Sequence, residues 1–181
     1  AHDFEDAFSK LKKVVDRCRE RNIVLKFSKT WVGFTEVNFF GFICKHNSYG
    51  LSNQRKEAIN SLVMPDNVKK MQRFLGTANF FNSFIPRYSE MTAPLTDMTH
   101  DKFDWNPKTW TKDYIGAFEK FKKACVEATE VFYPDYSLPW VLRCDASEVA
   151  VSAHLVQIRT SESGKLVDEP LGFASTKLSK H

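Results

Sequence analysis

The stretch from Met64 to Met98, MPDNVKKMQRFLGTANFFNSFIPRYSEMTAPLTDM, constrains the fold more than any other part of the chain. Pro65 sets a start and Asp66 is placed to cap. Residues Asn67 to Ile85 then read as one long helix, stopped before Pro86 because a helix interior cannot absorb the ring and the missing N–H. Met71, Phe74, Leu75, Ala78, Phe81 and Ile85 recur at helical spacing and form one apolar stripe for a core. The other side gathers Lys69, Gln72, Arg73, Gly76, Asn79 and Phe80, mixing charge, amides, an aromatic and a position without a side chain. Glycine inside a helix costs about 1 kcal/mol relative to alanine, a loss that makes sense where something approaches the backbone closely. Two readings follow: a second helix packs on Gly76 with Phe80 as core, or this face meets a ligand.

A length of 181 residues allows one large or two small domains. Hydrophobic and charged contents of 43% and 27% are those of a globular protein, and a formal charge of +4 suits a polyanionic partner without requiring one. Cys18, Cys44, Cys125 and Cys144 are irregularly spaced, with no C-x-x-C, so reduced, buried thiols are expected rather than a disulfide framework or a zinc site. The histidines (His2, His46, His100, His154, His181) share no ligand spacing. No apolar run reaches membrane-span length and the N-terminus lacks a signal-peptide shape. The expectation is an intracellular protein (cytoplasm, nucleus or virus-like particle), not secreted and without a membrane partner.

In chain order, Phe4, Phe8, Leu11, Val14, Val15 and Cys18 outline an amphipathic helix over residues 3–21, acidic early and basic late as the helix dipole favours. Residues 23–27 (IVLKF) and 35–44 (TEVNFFGFIC) read as strands, the latter alternatively as a hairpin with Gly41 as a bulge, and Ser48-Tyr49-Gly50 as a turn. Helices are expected over 52–62, 88–98 (broken or started near Pro94) and 111–128. Arg55, Lys56 and Glu57 read as a solvated face, and Phe103 and Trp105 as anchors of a polar link. After Val131 the pattern turns to strands near 140–144, 149–158 and 170–174.

Residues 72–98, QRFLGTANFFNSFIPRYSEMTAPLTDM, resemble the thumb segment of retroviral and gypsy-type LTR-retrotransposon reverse transcriptases, "lr.FLG..nyyr.FI..fs..a.PLt.l". Phe39, Phe40, Gly41 and Phe42 fall on the family's primer grip, "v.fLG..vs..Gi". FYPDYSLPWVLRCDAS and the strands after it are similar to the opening of a ribonuclease-H-like domain, "pD...pf.l.tDAS..g.gavl.Q......pi.y.S..L", with Asp145 on the first metal-binding carboxylate. The resemblance implies an α+β chain: a palm remnant of a helix plus short antiparallel strands (1–51), a helical thumb bundle (52–100), a linker and connecting helix (101–130), and the first strands of an RNase H-like mixed sheet (131–181).

It also implies that Gln72, Gly76 and Phe80 face the minor groove of a template-primer duplex, with Lys69, Arg73 and Asn79 beside them. Partners would be an RNA-DNA or DNA duplex, together with further Pol polyprotein segments or foreign subunits covering both ends. The parent enzyme would be an RNA-directed DNA polymerase with ribonuclease H, using Mg²⁺ held by Asp145 and other carboxylates. Departures are Ala150, Ser152 and Ala153 in place of "G.GA", and His154 in place of an aliphatic residue. This segment lacks the aromatic-x-Asp-Asp motif, so it is expected to be inactive alone and to need no cofactor of its own. The alternative is a domesticated retroelement remnant serving as a structural or interaction subunit.

Overall fold

A computed structural model describes residues 3–179, which belong to two compact units divided between Thr35 and Glu36. In the first, α1 (Phe4–Glu20) begins at Asp3, whose carboxylate accepts from Asp6 N at 2.8 Å, and carries Arg17 and Arg19 in its last turn. No residue of α1 is buried; Phe4, Phe8 and Val14 are exposed along one stripe. The strand expected over 23–27 is not formed: Phe27–Lys29 make a 3₁₀ turn, and no strand occurs among the described residues of this unit. A lone extended segment gains no inter-strand hydrogen bonds and is not stable as a strand.

The second unit opens with a hairpin where one strand was expected. β1 (Val37–Phe39) and β2 (Phe42–Cys44) pair antiparallel across Phe40 and Gly41, at φ +49° and +82°. Two consecutive left-handed residues define a type I′ turn, whose twist suits a two-residue hairpin, so Gly41 is a turn residue and not a bulge. The expected turn at residues 48–50 is instead β3 (Ser48–Leu51), and the chain reverses just before it, with Lys45 N donating to Ser48 O at 2.8 Å. β4 (Val131–Phe132), from far along the chain, completes the sheet in the order β1-β2-β3-β4. Glu130, next to β4, is ion-paired with Lys45 and accepts from Ser48 Oγ at 3.1 Å; these bonds hold its carboxyl below the usual range.

Ser52 caps α2 (Asn53–Asn60). The organising helix α3 (Val68–Ala78) is shorter than expected, and its cap is Asn67, whose side chain accepts from Lys70 N at 3.0 Å. Asp66 instead receives Lys70 Nζ and Asn67 Nδ2, each at 2.7 Å. Beyond Ala78 the chain tightens into a 3₁₀ segment, Asn79–Phe84, and Ile85 is extended, the conformation a residue before proline prefers. α4 (Tyr88–Asp97) carries Pro94 in its interior without ending there, and α5 (Lys112–Val126) follows a cluster of Phe103, Trp105 and Trp110, on which its own Tyr114 packs.

The predicted stripe forms the core. Met71, Phe74, Ala78, Phe81 and Ile85 are buried, with Leu75 half-buried at the edge. They meet Phe84, Leu95, Met98, Phe118 and Phe121; the Phe121 ring lies edge-on to Phe74 at 5.4 Å and to Tyr88 at 5.9 Å.

β5 (Trp140–Ala146), β6 (Ala150–Thr160) and β7 (Leu166–Lys177) form an antiparallel sheet in that order. The register passes from Leu155↔Gly172 to Val156↔Pro170, leaving Leu171 as a bulge that lets a proline sit within the strand. Ser89 N donates to Ser175 Oγ at 2.8 Å and Lys177 bridges Asp97 at 2.5 Å, tying β7 to α4. Buried Gln157 is fully used, donating to Glu169 at 2.7 Å and accepting from Asp135 N at 2.8 Å.

Only one of the four cysteines matches the expectation of burial: Cys125 is buried, Cys18 and Cys44 are half-buried, and Cys144 is exposed on β5. Burial pushes the Cys125 thiol up to about 12. In the unfolded chain this thiol ionises first, so its contribution to stability falls as pH rises from the ordinary thiol range toward that value. At pH 8 a disulfide-exchange reagent should label Cys144 at once and Cys125 only after denaturation. Equal rates at the two sites would contradict the packing.

Candidate nucleic-acid interface

The second side of α3 is solvent-facing along its length. Lys69, Gln72, Arg73, Gly76, Asn79 and Phe80 are all exposed, and they stay on one side because the 3₁₀ segment continues from the helix. A methyl group added at Gly76 would meet no atom within 4 Å. Among the described residues no helix packs on this glycine, against the internal-packing reading, and the bare backbone faces open space. Neither Lys69 nor Arg73 forms an ion pair among the described residues, whereas Lys70, one position round the helix, is paired with Asp66.

At its far end this strip reaches the β1-β2 hairpin. The Phe80 ring, 37% exposed, stacks on Phe42 at 4.7 Å and lies under the Arg55 guanidinium at 3.9 Å. Arg55 Nη2 also donates to Phe40 O at 3.2 Å. Phe39 and Phe40 project from the turn, their rings 4.5 Å apart, with Phe40 79% exposed. The structure thus brings the candidate residues of α3 and those of residues 39–42 onto one continuous surface of bare backbone, amide, aromatic and positive charge. Sequence reading missed Arg55, which is half-buried rather than part of a solvated face; its position one turn into the helix after the hairpin was the only available hint.

Gly41 is held doubly. Its φ of +82° is left-handed, and an added Cβ would lie 2.5 Å from Arg55 Nε. Gly41→Ala should cost about 1–2 kcal/mol from backbone strain and displace Arg55 from Phe40 O. Urea unfolding checks the first and the hairpin amides' exchange rates the second; an unchanged midpoint would contradict the turn assignment.

Asp145 lies elsewhere, near the end of β5, opposite Ser152 on β6. It is ion-paired with Arg87, the left-handed residue (φ +53°) that precedes α4. The two line an open cavity of about 520 Å³ with Arg143, Asp168, His154 and Phe173. Arg143 and Asp168 form a second ion pair, which lowers the Asp168 carboxyl and raises the guanidinium. His154 stacks on Phe173 at 4.4 Å; burial, followed by Arg143, holds its imidazole below the ordinary value. Both carboxylates facing this cavity, Asp145 and Asp168, are ion-paired with arginine. No group of three or more Asp, Glu, His or Cys side chains able to hold a metal occurs among the described residues. The described residues therefore do not by themselves make up a Mg²⁺ site at Asp145, which is expected to need carboxylates that this segment does not supply. Of the five histidines, His2 and His181 lie outside the described residues.

The family model for the RNase H-like domain found in reverse transcriptase matches residues 110–181. The Transposon Tf2-3 and Tf2-4 polyproteins of Schizosaccharomyces pombe are each 27% identical over 170 residues, a match covering 94% of this chain and 12% of theirs. A foamy viral protease-reverse transcriptase in complex with double-stranded DNA superposes with a TM-score of 0.80 at 23% identity, over 99% of this chain and 30% of that one. The chain is similar to the reverse-transcriptase/RNase H region of LTR-retrotransposon and retroviral Pol polyproteins, and its residues 110–181 match the RNase H-like domain.

The foamy viral enzyme in complex with an RNA/DNA hybrid gives a TM-score of 0.77 at 23% identity, over 99% of this chain and 23% of that one. The α+β fold, with its helical middle and antiparallel sheets, is the one these structures share. The chain thus spans about an eighth of the polyproteins it matches and under a third of these two solved chains. No helix among the described residues is long and apolar enough to cross a membrane.

Proposed function

We propose that this region grips a template-primer duplex through the strip running from Lys69 on α3 to Phe40 at the hairpin turn. The observation that carries the reading is Gly76: an exposed helical glycine with open space above it, flanked by Gln72, Arg73 and Phe80. Glycine here costs helix stability without relieving any internal contact, which is explained if a ligand must reach the backbone. A minor groove with its 2′-hydroxyls and base edges is such a ligand, met by amides, an aromatic edge and bare backbone rather than by long side chains. Lys69 and Arg73 supply charge for flanking phosphates, so recognition follows shape and charge, not base sequence.

On this reading residues 1–51 end a palm and carry the primer grip at Phe39, Phe40, Gly41 and Phe42. Residues 52–100 form the thumb, 101–130 the connection, and 131–181 the start of the RNase H-like domain. Gln72, Gly76, Asn79 and Phe80 touch the groove. Asp145 takes no part in gripping. The duplex, the remaining polyprotein segments and the Mg²⁺-dependent chemistry belong to the whole enzyme.

Fluorescence polarisation with a labelled RNA-DNA hybrid tests the reading. If the two unpaired cations Lys69 and Arg73 each neutralise one phosphate, the logarithm of the affinity should fall against the logarithm of salt with a slope of about −2. No binding at low salt, or binding insensitive to salt, would rule the reading out.

A further inference from the structure

Arg55 makes three contacts that link parts of the strip contributed by different elements. From α2 it lies 3.9 Å over the Phe80 ring of the 3₁₀ segment, donates to Phe40 O at 3.2 Å, and crosses directly against Gly41. It has no acidic partner among the described residues, so its charge is satisfied only by a carbonyl and a ring face. Phe42, on the strand leaving the same turn, stacks on the same Phe80 ring at 4.7 Å. A second tie from the turn toward α2 is the backbone bond from Ser52 N to Gly41 O at 3.0 Å, while the side chains of Phe39 and Phe40 are exposed aromatics.

We infer that Arg55 is a positioning residue: it latches the Phe40–Gly41 turn to the Phe80 end of the α3 face and so fixes the spacing between the two ends of the duplex-facing strip. This rests on the proposed duplex-gripping function for its consequence, but not for the latch itself. The planar fork of arginine allows one guanidinium to bond a carbonyl in its plane while offering its face to an aromatic ring. Lysine, a single flexible ammonium, cannot do both in that geometry. Glycine at position 41 is part of the same device, because any side chain there would occupy the space of the guanidinium.

The test compares Arg55→Lys and Arg55→Ala in the full chain. Hydrogen exchange is read at Phe42 and at Ser52, whose amide donates to Gly41 O at 3.0 Å, with Phe121 reporting the core. Both variants should speed exchange at Phe42 and Ser52 several-fold and leave Phe121 protected. Hybrid affinity should fall by a similar factor in both, on the order of fivefold, with Arg55→Lys keeping the wild-type salt slope. If lysine restores both exchange protection and affinity while alanine alone loses about one unit of salt slope, Arg55 is a phosphate contact and not a latch. Unchanged exchange in both variants also overturns the latch. If the wild-type chain binds no hybrid, the gripping function fails, and the exchange measurement still decides the latch.

Discussion

Phe121→Ala is expected to lower the unfolding free energy of residues 36–179 by about 3–5 kcal/mol, the range for truncating a fully buried phenylalanine whose surroundings cannot collapse. Phe121 is completely buried on α5 and faces Phe74 of α3 and Tyr88 of α4, so one ring joins three helices. Its loss removes apolar contact from all of them and leaves a cavity bounded by large rings that are themselves locked. Small domains are stable by only about 5–15 kcal/mol, so the variant should sit near its limit at room temperature. Leu142→Ala, on the exposed strand β5, is the matched control and should change stability by less than about 0.5 kcal/mol. Similar urea midpoints for the two variants would mean that the core lies elsewhere.

Gly76→Leu should separate stability from binding in opposite directions. The site is helical, exposed and unobstructed, so leucine relieves the backbone-entropy cost of glycine and should stabilise the chain by about 0.5–1 kcal/mol. The same side chain would stand between the helix backbone and a duplex, and hybrid affinity should drop on the order of tenfold or more, equivalent to about 1.4 kcal/mol. A destabilised variant would show that Gly76 is packed after all. A stabilised variant that binds as well as wild type would remove the close approach from the account.

Where a residue's environment is set by its own segment, the sequence was informative. The stripe Met71, Phe74, Ala78, Phe81 and Ile85 is buried because periodicity alone decides which side of a helix turns inward. Ser52 and Asp3 cap because their side chains need only reach the next turn. The errors arise where a distant partner decides. Residues 23–27 have strand-like composition but no strand to pair with. Val131 and Phe132 become a strand only because Ser48 and Tyr49 lie beside them. Asp66 lost the cap to Asn67, one position away, which propensity cannot separate.

At the candidate interface the four positions on α3 and the two on the 3₁₀ segment were legible from spacing as one exposed side, whereas the open space over Gly76 was not, since absence of a neighbour leaves no trace in local pattern. Arg55 was misread because a basic residue in a short helix is usually solvated; only the fold puts Phe80 and Phe40 within its reach. Asp145 matched a motif, yet its partner Arg87 is 58 residues away in the chain, and that distance hides the ion pair from any local reading.

The central claim is that the α3 face and the hairpin turn form one duplex-binding strip. Backbone amide NMR of the ¹⁵N-labelled chain, titrated with a short RNA-DNA hybrid at low salt, tests it residue by residue. Shifts should concentrate at Lys69, Gln72, Arg73, Gly76, Asn79, Phe80 and the Phe40–Gly41 turn, and should fade together as salt is raised. Shifts confined to the β5-β7 sheet around Arg87 and Arg143, with Gly76 unmoved, would contradict it.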